Sequence, residues 1–387
     1  MARGRDHRID WLRGIALVSI FINHMPGNRF ENWTTRNFGF SDAAELFVLL
    51  AGMAAAFAFF PRMLKGDLPG VAHKALRRAG ILYSMHIVST LAAVGVFAGA
   101  AWLIANDDIL ELIGVAPILA EPLTGLKGIL LGGHQLGYFN ILPLYVFLIL
   151  LVPGYMWLAA KDLRALMGVS LSLYLAAHLL PIDMPNFPTD DGWFFNPFAW
   201  QLLFASGIAL GVMRVRGQSV PWHPVAGVIA GAYVLFAAVW MIGDMGGRVS
   251  FDLLPHWIDT LAKSTLPASR YLHIMALAYL LGHSPVWPWL KRFGAKNFLT
   301  EMGRNSLPVF VFGSLLSMVG YITLVHTGSL LWLELVLTVG GVALMTAMAR
   351  AIEADVPARV LARVTQRLQA LTGGGEIETP DTPTGRG

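Results

Sequence analysis

The chain has 387 residues, 56% hydrophobic and 13% charged, with a formal net charge of +4 and a pI near 9.4. Soluble domains carry about 25% charged residues, so this is the composition of an integral membrane protein; its basic residues lie between apolar runs, which points to membrane orientation and not to nucleic acid. With no cysteine, disulfides, thiolate metal sites and a cysteine nucleophile are excluded.

Residues 5–26 read R-D-H-R-I-D-W-L-R-G-I-A-L-V-S-I-F-I-N-H-M-P. A basic start before an apolar run is like a signal peptide, but no A-x-A-type cleavage site follows, so a retained first helix is expected. At about 100° per residue, the eleven steps from Arg13 to His24 return to nearly the same azimuth, with Asp10 about 40° from His24. At about 1.5 Å per residue they climb roughly 16 Å, half of the ~30 Å hydrocarbon layer. A cation at the membrane edge and an imidazole near the midplane thus share one stripe. Ionisable groups at that depth are functional candidates by default. The alternative is a histidine hydrogen-bonded within a bundle, or held in a helix-end turn opened by Pro26.

The next helix opens F-G-F-S-D-A-A-E-L-F at residues 38–47. Asp42 and Glu45 stand three apart at its start, where they suit a capping box and the helix dipole. They also face the end of the first helix across one loop, so either carboxylate is a candidate to orient the His24 imidazole, as in hydrolase triads. Further on, H-K-A-L-R-R (73–78) sets Lys74, Arg77 and Arg78 at i, i+3 and i+4 on one face. Beside Arg13 they would hold a polyphosphorylated cytoplasmic cofactor; the competing explanation is ordinary positive-inside charge.

Apolar segments fall at about 11–27, 43–60, 79–105, 138–159, 163–181, 198–214, 223–243, 269–290, 305–325 and 329–350. They predict an all-α polytopic membrane protein of about ten transmembrane helices. With a cytoplasmic N-terminus, 22 of the 28 basic residues fall on that side, an asymmetry that makes both termini cytoplasmic. The opposite loops are polar and aromatic, notably 27–40 and the acidic 181–197, which suits either carbohydrate binding or an interfacial aromatic belt. Residues 124–137 are too short and glycine-rich to span and read as re-entrant or interfacial. Single histidines at His86, His178, His273, His283 and His326 lack zinc spacing, so no metal is expected. Glu334 sits a few residues into the last segment, within reach of the interface. No Walker loop, G-x-S-x-G elbow or dinucleotide fingerprint occurs. One transmembrane domain is expected over 1–371, with a disordered cytoplasmic tail over 372–387.

R-I-D-W-L-R-G-I-A from Arg8, together with I-F-I-N-H-M-P ending at Pro26, resembles the first helix of the transmembrane acyltransferase superfamily. F-S-D-A-A-E-L-F-V from Phe40, I-L-P-L-Y from Ile141, N-P-F-A-W-Q-L-L-F from Asn196 and G-R-N-S-L-P-V-F from Gly303 are similar to its OpgC branch, the osmoregulated periplasmic glucan succinyltransferases. The resemblance implies a multi-pass enzyme of the bacterial inner membrane. Such an enzyme moves a succinyl group from cytoplasmic succinyl-CoA, an acyl-CoA donor used without metal, to hydroxyls of periplasmic glucans. It maps the catalytic histidine onto His24 and the cytoplasmic arginines onto Arg13 and onto Lys74, Arg77 and Arg78. One departure stands out: where the pattern has an acidic residue before I-L-P-L-Y, this chain has Asn140, which cannot act as a base. For the oxyanion, Asn23, Asn140 and backbone N–H groups are candidates; for a succinyl carboxylate, Arg36, Arg270 and His134. The rival readings are an acetyltransferase for another extracytoplasmic polysaccharide and, in a different class, a polytopic transporter or flippase; no inverted repeat supports the latter.

Overall fold

The computed structural model describes residues 6–187, 192–245 and 262–355, and among these every regular element is a helix. In chain order they are α1 (His7–Asn23), α2 (Ala43–Met63), α3 (Leu68–Ile104), the short α4 (Ala116–Ala120) and α5 (Pro122–Leu131), α6 (Ile141–Lys161), α7 (Leu163–Leu179), α8 (Pro197–Val215), α9 (Pro224–Ile242), α10 (Ala268–His283), α11 (Val286–Trp289), α12 (Phe298–Arg304), α13 (Ser306–Thr327) and α14 (Leu331–Glu353). Each of the ten apolar segments coincides with a helix. Among the described residues seven are long and apolar enough to cross a membrane: α2, α3, α6 with its lead-in from Gly137, α8, α9, α13 and α14. α1, α7 and α10 have 17, 17 and 16 residues, so their helical parts reach only about 24–26 Å and fall short of a ~30 Å layer. The tail over 372–387, and the Asp190–Asp191 pair of the outer acidic loop, lie outside the described residues.

Two boundaries differ from the sequence reading for local reasons. α3 begins eleven residues early, because the Asp67 carboxylate accepts the Gly70 N–H at 2.8 Å and Pro69 sits in its first turn. The basic H-K-A-L-R-R stretch is therefore an integral part of this 37-residue helix. α5 stops after ten residues at Gly132, whose φ of +72° closes the turn. At about 15 Å it cannot cross a bilayer.

Without a hydrophobic drive between helices in lipid, close packing depends on small residues. Gly52 of α2 and Gly207 of α8 face each other, and a Cβ on either would overlap the partner's backbone carbonyl, Phe204 O or Leu49 O. The same device sets α1 against α12. A Cβ at Gly14 would enter the Leu299 carbonyl, and one at Gly303 would enter that of Asp10. α1 thus runs through the main core, with Ala16, Leu17 and Phe21 buried beside Phe47, Phe204 and Phe310. A second, smaller core gathers Phe97, Ile129, Leu136, Phe139 and Met318 from α3, α5, the 136–139 turn and α13.

The glycine contacts give a direct test. Gly303→Ala should lower stability by about 1–3 kcal/mol or more, the range for overpacking. Gly154→Ala, where a methyl meets open space, should be neutral or stabilising by up to ~1 kcal/mol. Melting curves of the two purified variants in one detergent distinguish the cases.

Candidate active site

His24 caps the C-terminus of α1 with φ −88° and ψ 7°, and its N–H still donates to Ile20 O at 3.0 Å. It is therefore a helix-end residue, as Pro26 two positions later permits. Its imidazole lies on the ring of Tyr138, centroids 4.1 Å apart and planes 22° from parallel. Nδ1 is enclosed and has no hydrogen-bond partner among the described residues.

The turn that carries His24 is fixed from the far end of the chain. The Thr34 hydroxyl donates to Asn23 Oδ1 at 2.7 Å. Asn28 caps the 3₁₀ turn Arg29–Trp33 and donates from its amide to Thr338 Oγ1 at 3.0 Å. Glu334, fully buried, accepts the Arg29 backbone N–H at 2.9 Å and the Ser329 hydroxyl, with the Arg29 Nε 3.6 Å away. Its carboxylate closes inward, because the 27–30 turn brings a peptide N–H that must be answered once water is excluded.

Asp42 and Glu45 form the expected capping box on α2: Asp42 accepts the Ala44 N–H and Glu45 Oε2 accepts the Asp42 N–H at 2.8 Å. Both also meet cations that the sequence left unassigned to them. Arg270 on α10 donates from Nε to Glu45 Oε1 at 2.7 Å and from a terminal nitrogen to Asp42 Oδ2 at 3.2 Å. Lys263 pairs with Asp42 as well. Neither carboxylate hydrogen-bonds to His24 among the described residues, so the hydrolase-like orienting contact is not formed here. Buried carboxylates need such compensation, and a lone arginine on an apolar helix was the signal that could have located the pair.

The cationic residues expected at the cytoplasmic side divide. A cavity of about 250 Å³ is lined by Arg13, Lys74 and Arg78, with Tyr145, Ser306 and Phe310 among its other walls, and no described carboxylate faces it. Arg13 donates to Leu50 O at 3.4 Å, and Lys74 to Ala58 O at 2.8 Å. Arg77, expected on the same face, is not part of the lining; one residue before Arg78, it lies about 100° around the helix from it. The floor is an alanine row of α2, Ala51, Ala54, Ala55 and Ala58, at spacings that keep one face of the helix smooth. A larger furrow along α14, between Phe298, Val339 and Thr346, is open and almost wholly apolar.

The three residues considered for a succinyl carboxylate are each engaged already. Arg270 holds Asp42 and Glu45. Arg36 lies 3.5 Å from Glu31. His134 places Nδ1 2.8 Å from Phe187 O and Nε2 3.1 Å from Gly114 O, tying two loops together. No group of three or more metal-ligating side chains occurs among the described residues.

A family model described as OpgC protein matches residues 5–355. No curated protein and no solved structure matches the chain.

Arg270 generates a stability prediction. Arg270→Met would strand Glu45 and leave Asp42 to Lys263 alone, a loss of about 3–5 kcal/mol for a broken buried pair. Arg270→Lys should recover only part of this, since one ammonium cannot replace a fork that bridges two carboxylates. Thermal melts of the two variants beside the unaltered protein check the order.

Proposed function

The chain belongs to the OpgC protein family, and from that premise we propose that it is a membrane O-acyltransferase that carries a succinyl group from cytoplasmic succinyl-CoA to a hydroxyl of a periplasmic glucan. In this reading the three short helices cross with their flanking turns to make ten spans, and both termini are cytoplasmic. The carrying observation is the cavity edged by Arg13, Lys74 and Arg78, whose described lining holds no carboxylate, on the same α1 whose other end presents His24. A cluster of three cations lining one cavity suits phosphates. The alanine floor leaves room for a thin pantetheine arm leading toward His24.

The chemistry then follows from the separation of the two ends. The charged nucleotide stays at the basic mouth, where entry into lipid would be prohibitive. The thioester is carried inward, and the sugar hydroxyl arrives from the opposite side through the loops around residues 27–40. His24 takes the hydroxyl proton as the oxygen attacks the thioester carbonyl. Coenzyme A leaves as a thiolate, which needs little acid assistance. Asp42 and Glu45 serve by holding Arg270 and Lys263 at the outer end of α2. Because Arg36, Arg270 and His134 are engaged, acetyl transfer to another extracytoplasmic polysaccharide is the second reading. Coenzyme A release with succinyl-CoA against acetyl-CoA, given the same glucan, decides between them.

His24→Ala and His24→Asn should reduce coenzyme A release about 10²–10⁴-fold, with donor affinity and folding nearly intact, since a base acts on the transition state. Near-normal turnover in a folded His24→Asn protein would end the assignment. For the donor site, Arg13→Ala and Arg78→Ala should each weaken acyl-CoA binding roughly tenfold or more, as loss of a charged hydrogen bond does. Arg77→Ala should leave it unchanged, as isothermal titration with a non-hydrolysable acyl-CoA would show. Equal losses at all three positions would return the cluster to general positive-inside charge.

A further inference from the structure

In a hydrolase triad, the imidazolium formed during proton transfer is stabilised by a carboxylate hydrogen-bonded to the second ring nitrogen. Among the described residues that arrangement is missing around His24. Nδ1 is enclosed without a partner, Asp42 is held by Lys263 and Arg270, and Glu45 by Arg270 and the Asp42 N–H. Positive charge arriving on the imidazole therefore meets no hydrogen-bonded anion among the described residues.

It meets the face of Tyr138, at a centroid distance of 4.1 Å and 22° from parallel. The backbone of this ring is clamped on both sides. Leu136 and Phe139 are fully buried in the smaller core, and Gly137 takes a φ of +34° against the Ile113 side chain. The 3₁₀ turn Gly137–Phe139 then runs directly into α6. The negative face of an aromatic ring attracts a cation, most strongly where water is excluded.

We propose that Tyr138 is a positioning residue for His24, its ring fixing the plane of the imidazole and its π face stabilising the imidazolium formed during acyl transfer. The inference rests on His24 acting as the base. The sugar O–H bond breaks as its oxygen bonds the thioester carbonyl carbon, and the proton passes to the imidazole. The tetrahedral adduct then collapses with cleavage of the C–S bond. The thiolate takes the proton as His24 returns to neutral. Tyr138 stabilises the interval in which His24 is charged, the role that hydrolases give to a carboxylate.

The test uses the full chain in lipid nanodiscs, with coenzyme A release giving kcat and titration giving donor affinity. Tyr138→Phe keeps the face and should retain kcat within about threefold. Tyr138→Leu removes it and should lower kcat about 10- to 30-fold, the rate equivalent of a desolvated cation–π contact, with acyl-CoA affinity unchanged. Tyr138→Met, flexible and of similar bulk, should behave like the leucine variant. Wild-type turnover in the Leu or Met protein would overturn the proposal. So would a Phe variant as slow as Leu, which would assign the effect to the hydroxyl. Misfolding of both Leu and Met variants would also overturn it, making the ring a packing element. His24→Asn separates this from the base assignment. If that folded variant is active, the base reading falls; if it is inactive while Tyr138→Leu is unaffected, only the stacking role falls.

Discussion

The constraint that organises this molecule is that charges placed among apolar helices must be answered by other side chains, because little water reaches them. Arg270 is the clearest instance. Its guanidinium reaches Glu45 with one edge and Asp42 with another, so α10 and the start of α2 are held at a fixed separation. Asp42 and Glu45 are simultaneously the capping groups of α2. One cluster therefore sets where α2 begins, how α10 lies against it, and where the loop from α1 must end. Glu334 repeats the logic on the other side of that loop, binding the Arg29 N–H from α14. The turn bearing His24 is held between these two carboxylate systems.

Close backbone approach supplies the second constraint. Gly14 and Gly303 bring α1 onto α12, and Gly52 and Gly207 bring α2 onto α8. Contacts of this kind do not slide, since any side chain atom would collide with a peptide group. α1 consequently has one depth and one rotation. Its basic end reaches the cavity with Lys74 and Arg78, and its other end reaches Tyr138. The separation of a cationic mouth from an imidazole, about 16 Å along the helix, is thus a property of rigid packing and does not depend on a mobile loop.

This arrangement explains why a two-sided reaction fits the fold. The cavity floor is alanine, the rim is cationic, and the opposite end is an aromatic-backed histidine among ordered loops. In the proposed reading the two substrates come from opposite faces, and α1 would contribute a group to each.

Much of this was written in the sequence. The helical segments follow from apolar runs, because a backbone without water must satisfy its own polar groups, although only seven of the described helices are long and apolar enough to cross. The stripe from Arg13 to His24 follows from the 3.6-residue repeat, and the capping box of Asp42 and Glu45 from their spacing at a helix start. All are local, so residue order alone suffices. What the order could not decide is which distant side chains meet. That Arg270 lies 225 positions from Glu45 and still binds it, that Glu334 turns inward to Arg29, that Tyr138 covers His24, and that Arg78 faces the cavity while Arg77 does not, all depend on how helices rotate and cross. Those angles are set by contacts summed over many residues, with glycines at Gly14, Gly52, Gly207 and Gly303 allowing the nearest approaches. Periodicity places a residue on a face of its own helix, and only tertiary packing decides what that face meets.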